Sequence, residues 1–210
     1  VSGQTELEIR RQVIERRKSL STEQVQRLSQ EVASRFLQKS GFLHSPFKSI
    51  SVGMYSALPS ELSLESMETT LRQLGWKLHY PRIVDRQAKT MEFVEIPEGS
   101  VELQSWQTGP YGIREPHSDL KACQPDHLDL IFVPSVVLGE SGERIGMGGG
   151  YYDRFLSLSS QALRVALAFD FQLFPSLVQK PTDQSVHWMM TEFREVRTDF
   201  VNPWWKRRIG

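Results

Sequence analysis

Three strand-length runs dominate this chain: "SISVGMY" (49–55), "LDLIFVP" (128–134) and "LRVALAF" (163–169). Each reads as a buried strand. "LDLIFVP" is a continuous apolar run of the kind found in the centre of a parallel sheet, where helices cover both faces. Helix-like stretches separate the runs. "SLESMETTLRQLGW" has apolar Leu64, Met67, Leu71 and Leu74 at helical spacing, and Gly75 is a stop signal. Alternation of this kind predicts an α/β fold, a layered domain with a central, largely parallel sheet flanked by helices. Residues 1–210 are expected to form a single domain.

The remaining elements follow from the same rules. Residues of about 5–39 form a helical N-terminal segment. "LSTEQ" interrupts it, and Ser21 or Thr22 can cap a second helix. "WKLHYP" (76–81) reads as a strand ended by Pro81. "TMEFVEI" (90–96) is another short strand. Residues 97–127 hold Pro97, Gly99, Gly109, Pro110, Gly112, Pro116 and Pro125, and are expected to be mostly loop. "SVHWMMTE" (185–192) is expected to be the last strand. The tail "VNPWWKRRIG" carries no functional signal.

Composition excludes several classes of function. Lys plus Arg and Asp plus Glu balance at 25 each, unlike a general nucleic-acid binder or a membrane-surface protein. No apolar run approaches the roughly 20 residues needed to span a bilayer. The first residues, "VSGQTELEIRRQ", contain no hydrophobic signal region. A cytoplasmic protein and a monomer are expected. The lone cysteine, Cys123, excludes an intrachain disulfide and reads as a small linker residue. The five histidines show no metal-ligand spacing.

The chemical signal is "RIGMGGGYYDR" at 144–154, with Gly146, Gly148, Gly149 and Gly150 in five positions. No Gly-Lys pair exists, so this is not a P-loop. Tyr151 stands where the dinucleotide fingerprint requires its third glycine. The physical logic of a phosphate cradle still applies. Backbone N–H groups unobstructed by Cβ atoms can face an anion, and a helix start beyond them adds a positive dipole end. Arg144 can add a fork of donors. Asp153 has two readings: an acid favoured by the helix dipole, or a Mg²⁺ ligand beside phosphate oxygens. Asp183, in "KPTDQS", is either a turn residue or a second such acid. The cluster Arg10, Arg11, Arg16, Arg17 and Lys18 reads as a solvated helix face, with Arg10 as a possible phosphate ligand. Glu61, in "SALPSELS", stands just past a strand end, as a helix-start acid or a binding carboxylate.

The motif "RIGMGGGYYDRFL" resembles the signature of the 5-formyltetrahydrofolate cyclo-ligase family. The resemblance extends through "SVGMYSALPSELS", "GWKLHYPRI", "MEFVEI", "GPYGIREP", "ALAFDFQLFPSL" and "PTDQSVHWMMTE", in order. It implies ATP- and Mg²⁺-dependent closure of 5-formyltetrahydrofolate to 5,10-methenyltetrahydrofolate. It implies Arg144, Tyr151 and Asp153 as catalytic residues. ATP would be held by Arg10, Arg144, Gly146, Gly148, Gly149, Gly150, Tyr151 and Tyr152. Folate would be bordered by Ser56, Glu61, Tyr111, Met147, Gly148 and Tyr151, and Mg²⁺ held by Asp153 and Asp183. Two positions depart from the family pattern. Glu6 replaces the lysine of an N-terminal Lys-x-x-hydrophobic-Arg element, and His187 replaces an aspartate. Glu6 leaves a second reading open, a folate- or nucleotide-binding protein without catalysis. A sugar-phosphate enzyme on a similar scaffold is a third.

Overall fold

A computed structural model describes residues 5–40, 49–100 and 105–198. The tail from 199 onward, with its tryptophans, lies outside the described residues. The chain runs through α1 (Glu6–Lys18), α2 (Thr22–Lys39), β1 (Ser51–Gly53), α3 (Glu65–Gln73), β2 (Lys77–Asp85), β3 (Thr90–Glu95), β4 (Trp106–Thr108) and β5 (Arg114–Pro116). It continues through β6 (Leu130–Phe132), β7 (Val137–Gly139), β8 (Arg144–Ile145), α4 (Tyr151–Leu158), β9 (Leu163–Leu167), β10 (Leu173–Phe174), β11 (Trp188–Met190) and β12 (Glu195–Arg197).

The apolar runs form the middle of a seven-stranded sheet ordered β12-β11-β9-β6-β1-β2-β3. The five strands from β11 to β2 are parallel, and β3 and β12 are antiparallel edges. Burial on both faces explains why the runs lack polar alternation. Leu130, Phe132, Val165 and Leu167 pack with Val32 and Phe36 of α2 and Met67 and Leu71 of α3. The intervening Ile131 and Ala166 pack with Phe155 and Leu156 of α4 on the opposite face. Phe36 meets Phe132 edge-on, with centroids 5.3 Å apart.

Local signals set the helix ends. Thr5 caps α1 and Ser21 caps α2, each in a reciprocal capping box that satisfies otherwise unpaired N–H groups. After α3 the chain turns at Gly75, whose φ is +80°.

Two expectations are corrected. Pro81 does not end β2, which runs on to Asp85. The residues of β2 that face β1 are Lys77 and His79, joined to Ile50 O and Met54 N. Pro81 falls on that same side, beyond the last partner Gly53, so its missing N–H interrupts no ladder. The described residues of 97–127 are mostly loop, as expected, with a short hairpin of β4 and β5 among them. The strand at 185–192 is not the last, because the chain returns as β12.

A second small sheet, β10-β7-β8, carries the start of the glycine-rich segment. Helix α1 packs on it through Ile9 and Val13, against Val136, Val137 and Ile145. This contact brings α1 alongside residues more than 120 positions later and sets the geometry of the site.

Candidate functional site

In an open parallel sheet, ligands bind beyond the carboxyl ends of the strands where the strand order changes direction. Here that point lies between β1, which continues to β2 on one side, and β6 on the other. A cavity of about 1300 Å³ opens there. Its wall includes Tyr55 and Ser56 just past β1, Pro134 and Ser135 just past β6, and Pro81 of β2. The residue expectations converge on it. Arg10, Ser56, Glu61, Tyr111, Arg144, Asp153 and Asp183 all line the cavity. The whole segment from Gly146 to Tyr152 lines it as well.

The glycines make room for the protein's own cations. A Cβ at Gly146 would stand 2.7 Å from Arg144 Nη1, and one at Gly150 2.8 Å from Arg154 Nη1. At Gly148 it would stand 3.3 Å from Arg10 Nη1. Gly148 and Gly150 also adopt φ of +93° and +74°, which a side chain would strain. Gly150 is the N-cap of α4. The bare backbone thus lets guanidinium groups lie against the loop.

Arg144 is buried and donates from Nη2 to Asp153 Oδ1 at 2.5 Å. The same oxygen accepts the Gln184 N–H at 3.1 Å, which ties α4 to the 180–184 loop. Asp183 Oδ2 accepts the Lys180 N–H at 2.8 Å. Arg164 braces both elements from beneath. It donates to Leu156 O on α4 at 2.8 Å, to Gln184 Oε1 at 3.0 Å and to Ser185 O at 3.3 Å. The two candidate metal acids therefore sit on segments joined by one buried arginine.

The basic cluster on α1 is divided: Arg11, Arg16 and Lys18 are exposed as expected of a solvated face, whereas Arg10 lines the cavity and Arg17 is buried. Arg10 and Arg17, seven residues apart, share one helical stripe. Arg17 is 3% exposed and donates from Nη2 to Glu61 Oε1 at 3.3 Å. Glu61 Oε2 accepts the Leu58 N–H at 3.1 Å. Each carboxylate oxygen retains a second lone pair for a ligand donor. Glu61 belongs to the loop before α3, not to a helix start. Arg16 lies over the Phe171 ring at 4.4 Å.

Four tyrosines complete the wall. Burial, reinforced by the Glu61 charge, holds the Tyr55 and Tyr152 hydroxyls well above the ordinary tyrosine range. Tyr152 Oη is buried with no hydrogen-bond partner among the described residues, an orphan donor in a cavity wall. Tyr111 projects from the β4–β5 turn with φ of +65°, strained for a non-glycine residue. Desolvation, and then a hydrogen bond with Tyr111, raise the Tyr151 hydroxyl. The Ser56 hydroxyl donates to Arg114 O at 2.8 Å and anchors this hairpin.

Sequence reasoning missed Arg17, Tyr55 and Lys180. The spacing of Arg10 and Arg17 on one stripe was an available signal for the first. Nothing in the sequence pointed to Lys180, whose Nζ reaches Glu6 Oε2 at 2.7 Å. Two other positions prove structural. Cys123 is absent from the cavity wall, and burial pushes its thiol up to about 11. His187 Nδ1 accepts the buried Arg164 N–H at 3.1 Å.

Among the described residues no helix is long and apolar enough to cross a membrane, and no cluster of three His, Cys, Asp or Glu side chains suits a metal. A metal held by two carboxylates and ligand phosphates needs no such cluster.

The chain is similar to known proteins in sequence and in fold. The chain is similar over 68% of its length to 5-formyltetrahydrofolate cyclo-ligase of Escherichia coli strain K12, at 27% identity and covering 74% of that protein. A probable 5-formyltetrahydrofolate cyclo-ligase of Caenorhabditis elegans is 26% identical, over 87% of this chain and 90% of its own. The NMR structure of Aquifex aeolicus 5,10-methenyltetrahydrofolate synthetase superposes with a TM-score of 0.76 at 27% identity, covering 93% of each chain. The model of the 5-formyltetrahydrofolate cyclo-ligase family matches residues 2–192, which takes in both helices of the N-terminal segment, the glycine loop and β11. With that match spanning nearly every element described above, the chain belongs to the 5-formyltetrahydrofolate cyclo-ligase family of enzymes.

Proposed function

We propose that this chain catalyses the ATP- and Mg²⁺-dependent cyclisation of 5-formyltetrahydrofolate to 5,10-methenyltetrahydrofolate, releasing ADP and phosphate. The observation that carries the reading is the glycine loop. It lines one cavity together with cations (Arg10, Arg144) and with aromatic and carboxylate side chains (Tyr55, Tyr152, Glu61). Two ligands of different chemistry can meet there.

The amide-like formyl oxygen is a poor leaving group, so it must first be activated. In the proposed sequence it attacks the γ-phosphoryl group, forming an O–P bond as ADP departs. N10 then attacks the formyl carbon and loses its proton, and the C–O bond breaks to release phosphate. The protein contributes positioning and charge stabilisation. Arg144 and the N–H groups of Gly146 to Gly150 would hold the transferring phosphoryl oxygens, with Arg10 behind Gly148. Glu61, fixed by Arg17 and the Leu58 N–H, would accept hydrogen bonds from the pterin. Tyr111, Tyr151 and Met147 would border the folate and exclude water.

The donor set suits magnesium: two carboxylates at the cavity wall and no soft ligand. Arg144 and Gln184 both engage Asp153 Oδ1, and Lys180 engages Asp183 Oδ2. Asp153 Oδ2 and Asp183 Oδ1 are the oxygens that would hold the ion. Mg²⁺ supplies neutralisation of phosphate charge when bound.

A purified sample should form the methenyl product, followed by its absorbance, only when ATP and Mg²⁺ are both present. Absence of turnover under those conditions overturns the reading. One observation favours a second reading, folate binding without catalysis: Glu6 occupies cations beside the glycine loop. Tight folate binding in calorimetry without ATP consumption would select it.

A further inference from the structure

Glu6 is the first residue of α1 and lines the cavity. Each of its oxygens is taken by a different cation. Oε1 accepts from Arg10 Nη2, one helical turn away. Oε2 accepts from Lys180 Nζ at 2.7 Å, across 174 residues of sequence. Lys180 belongs to the same loop as Asp183, and its ammonium is held above its ordinary range by the bond to Glu6. The guanidinium of Arg10 in turn lies against Gly148. One carboxylate therefore gathers two cations at the edge of the glycine loop and links α1 to the loop on the other side.

An acid at the start of a helix is favoured by the dipole alone and needs no cationic partners. This one makes the charge-assisted contacts that a phosphoryl oxygen would make with the same two groups. We propose that Glu6 is an internal competitor for the polyphosphate end of the nucleotide, and that Lys180 is a polyphosphate-binding residue. The proposal rests on the ATP-dependent reading above. Phosphate oxygens take the place of Glu6 on Arg10 and Lys180, and the displaced carboxylate returns to water. The exchange is feasible because the contact is shallow. The Glu6 side chain is 31% exposed and that of Lys180 64% exposed. Exposed pairs of this kind are weak, whereas a triphosphate brings several charges to the same cations. The site consequently discriminates by ligand charge, and adenosine alone does not provoke the exchange.

Calorimetry on the full chain tests this with Mg²⁺-ATP and with adenosine as probes, using E6Q, K180Q and the double variant. Thermal melts confirm that each variant is folded. E6Q is expected to tighten Mg²⁺-ATP about fivefold and to leave adenosine affinity unaltered. K180Q is expected to weaken Mg²⁺-ATP several-fold, and to do so in the E6Q background as well. That last result separates a phosphate contact from a mere partner of Glu6. If Mg²⁺-ATP binds wild type and E6Q equally, or E6Q more weakly, Glu6 is no competitor. If K180Q changes nothing, Lys180 does not touch phosphate. In both of those cases the ATP-dependent reading survives. Failure of wild type and E6Q alike to bind Mg²⁺-ATP overturns both.

Discussion

Arg17 Nη2 lies 3.3 Å from Glu61 Oε1, joining α1 to the loop between β1 and α3 in the protein interior. A buried charge left without its partner is strongly destabilising, more so than removal of the whole pair. Arg17→Met should therefore cost about 3–5 kcal/mol in urea unfolding. The double variant Arg17→Met/Glu61→Gln should recover most of that loss while still binding folate poorly. Equal stability of the single and double variants would show that the pair is not coupled.

Asp153 stands at the centre of the proposed phosphate site, held by Arg144 and by the Gln184 N–H. Asp153→Asn keeps the side-chain shape and removes the charge. Turnover should fall about 100-fold or more, as for loss of one preorganised electrostatic group. Folate affinity in calorimetry should be largely retained. Full activity of the variant would reduce Asp153 to an acid that serves only the start of α4.

Gly148 combines a positive φ with close approach to Arg10. Gly148→Ala should cost about 1–2 kcal/mol, the ordinary penalty of a left-handed backbone for an L-residue. It should also push the Arg10 guanidinium away and weaken Mg²⁺-ATP more than adenosine. A melting temperature equal to wild type would contradict the backbone argument.

His187 gives the fold an acid sensitivity. Burial, and then the Arg164 charge, push its imidazole down to about 3. The unfolded chain takes up this proton near pH of about 6.5, and the folded chain refuses it until about 3. The unfolded state binds more protons in that window, so stability rises with pH there. The contribution is complete above pH of about 6.5 and is lost progressively as pH falls towards 3. His187→Asn retains an acceptor for the Arg164 N–H but removes the titration. Its melting temperature should fall less than that of wild type between pH 7 and 4.5. Parallel curves would assign the acid sensitivity to other groups.

The central strands of the sheet and the glycine loop are legible along the chain. Apolar runs such as 128–134 leave no polar face, so their strands had to be covered on both sides, as Phe132 and Ile131 are by opposite layers. Capping at Ser21, the turn at Gly75 and the bare backbone at 146–150 are equally local, because each depends on neighbouring residues. The small sheet escaped sequence reading because strands of two or three residues have no usable period. Pro81 misled because its meaning depends on where β1 ends. The charges were decided by tertiary structure alone. Whether an arginine on α1 faces water or a carboxylate depends on what packs against that helix, and the packing surface is made by residues from 136 to 145 and from 171 to 177. The contacts of Arg17 with Glu61 and of Lys180 with Glu6 span 44 and 174 positions. Coulomb's law acts through space, so such pairings leave no periodic trace along the chain.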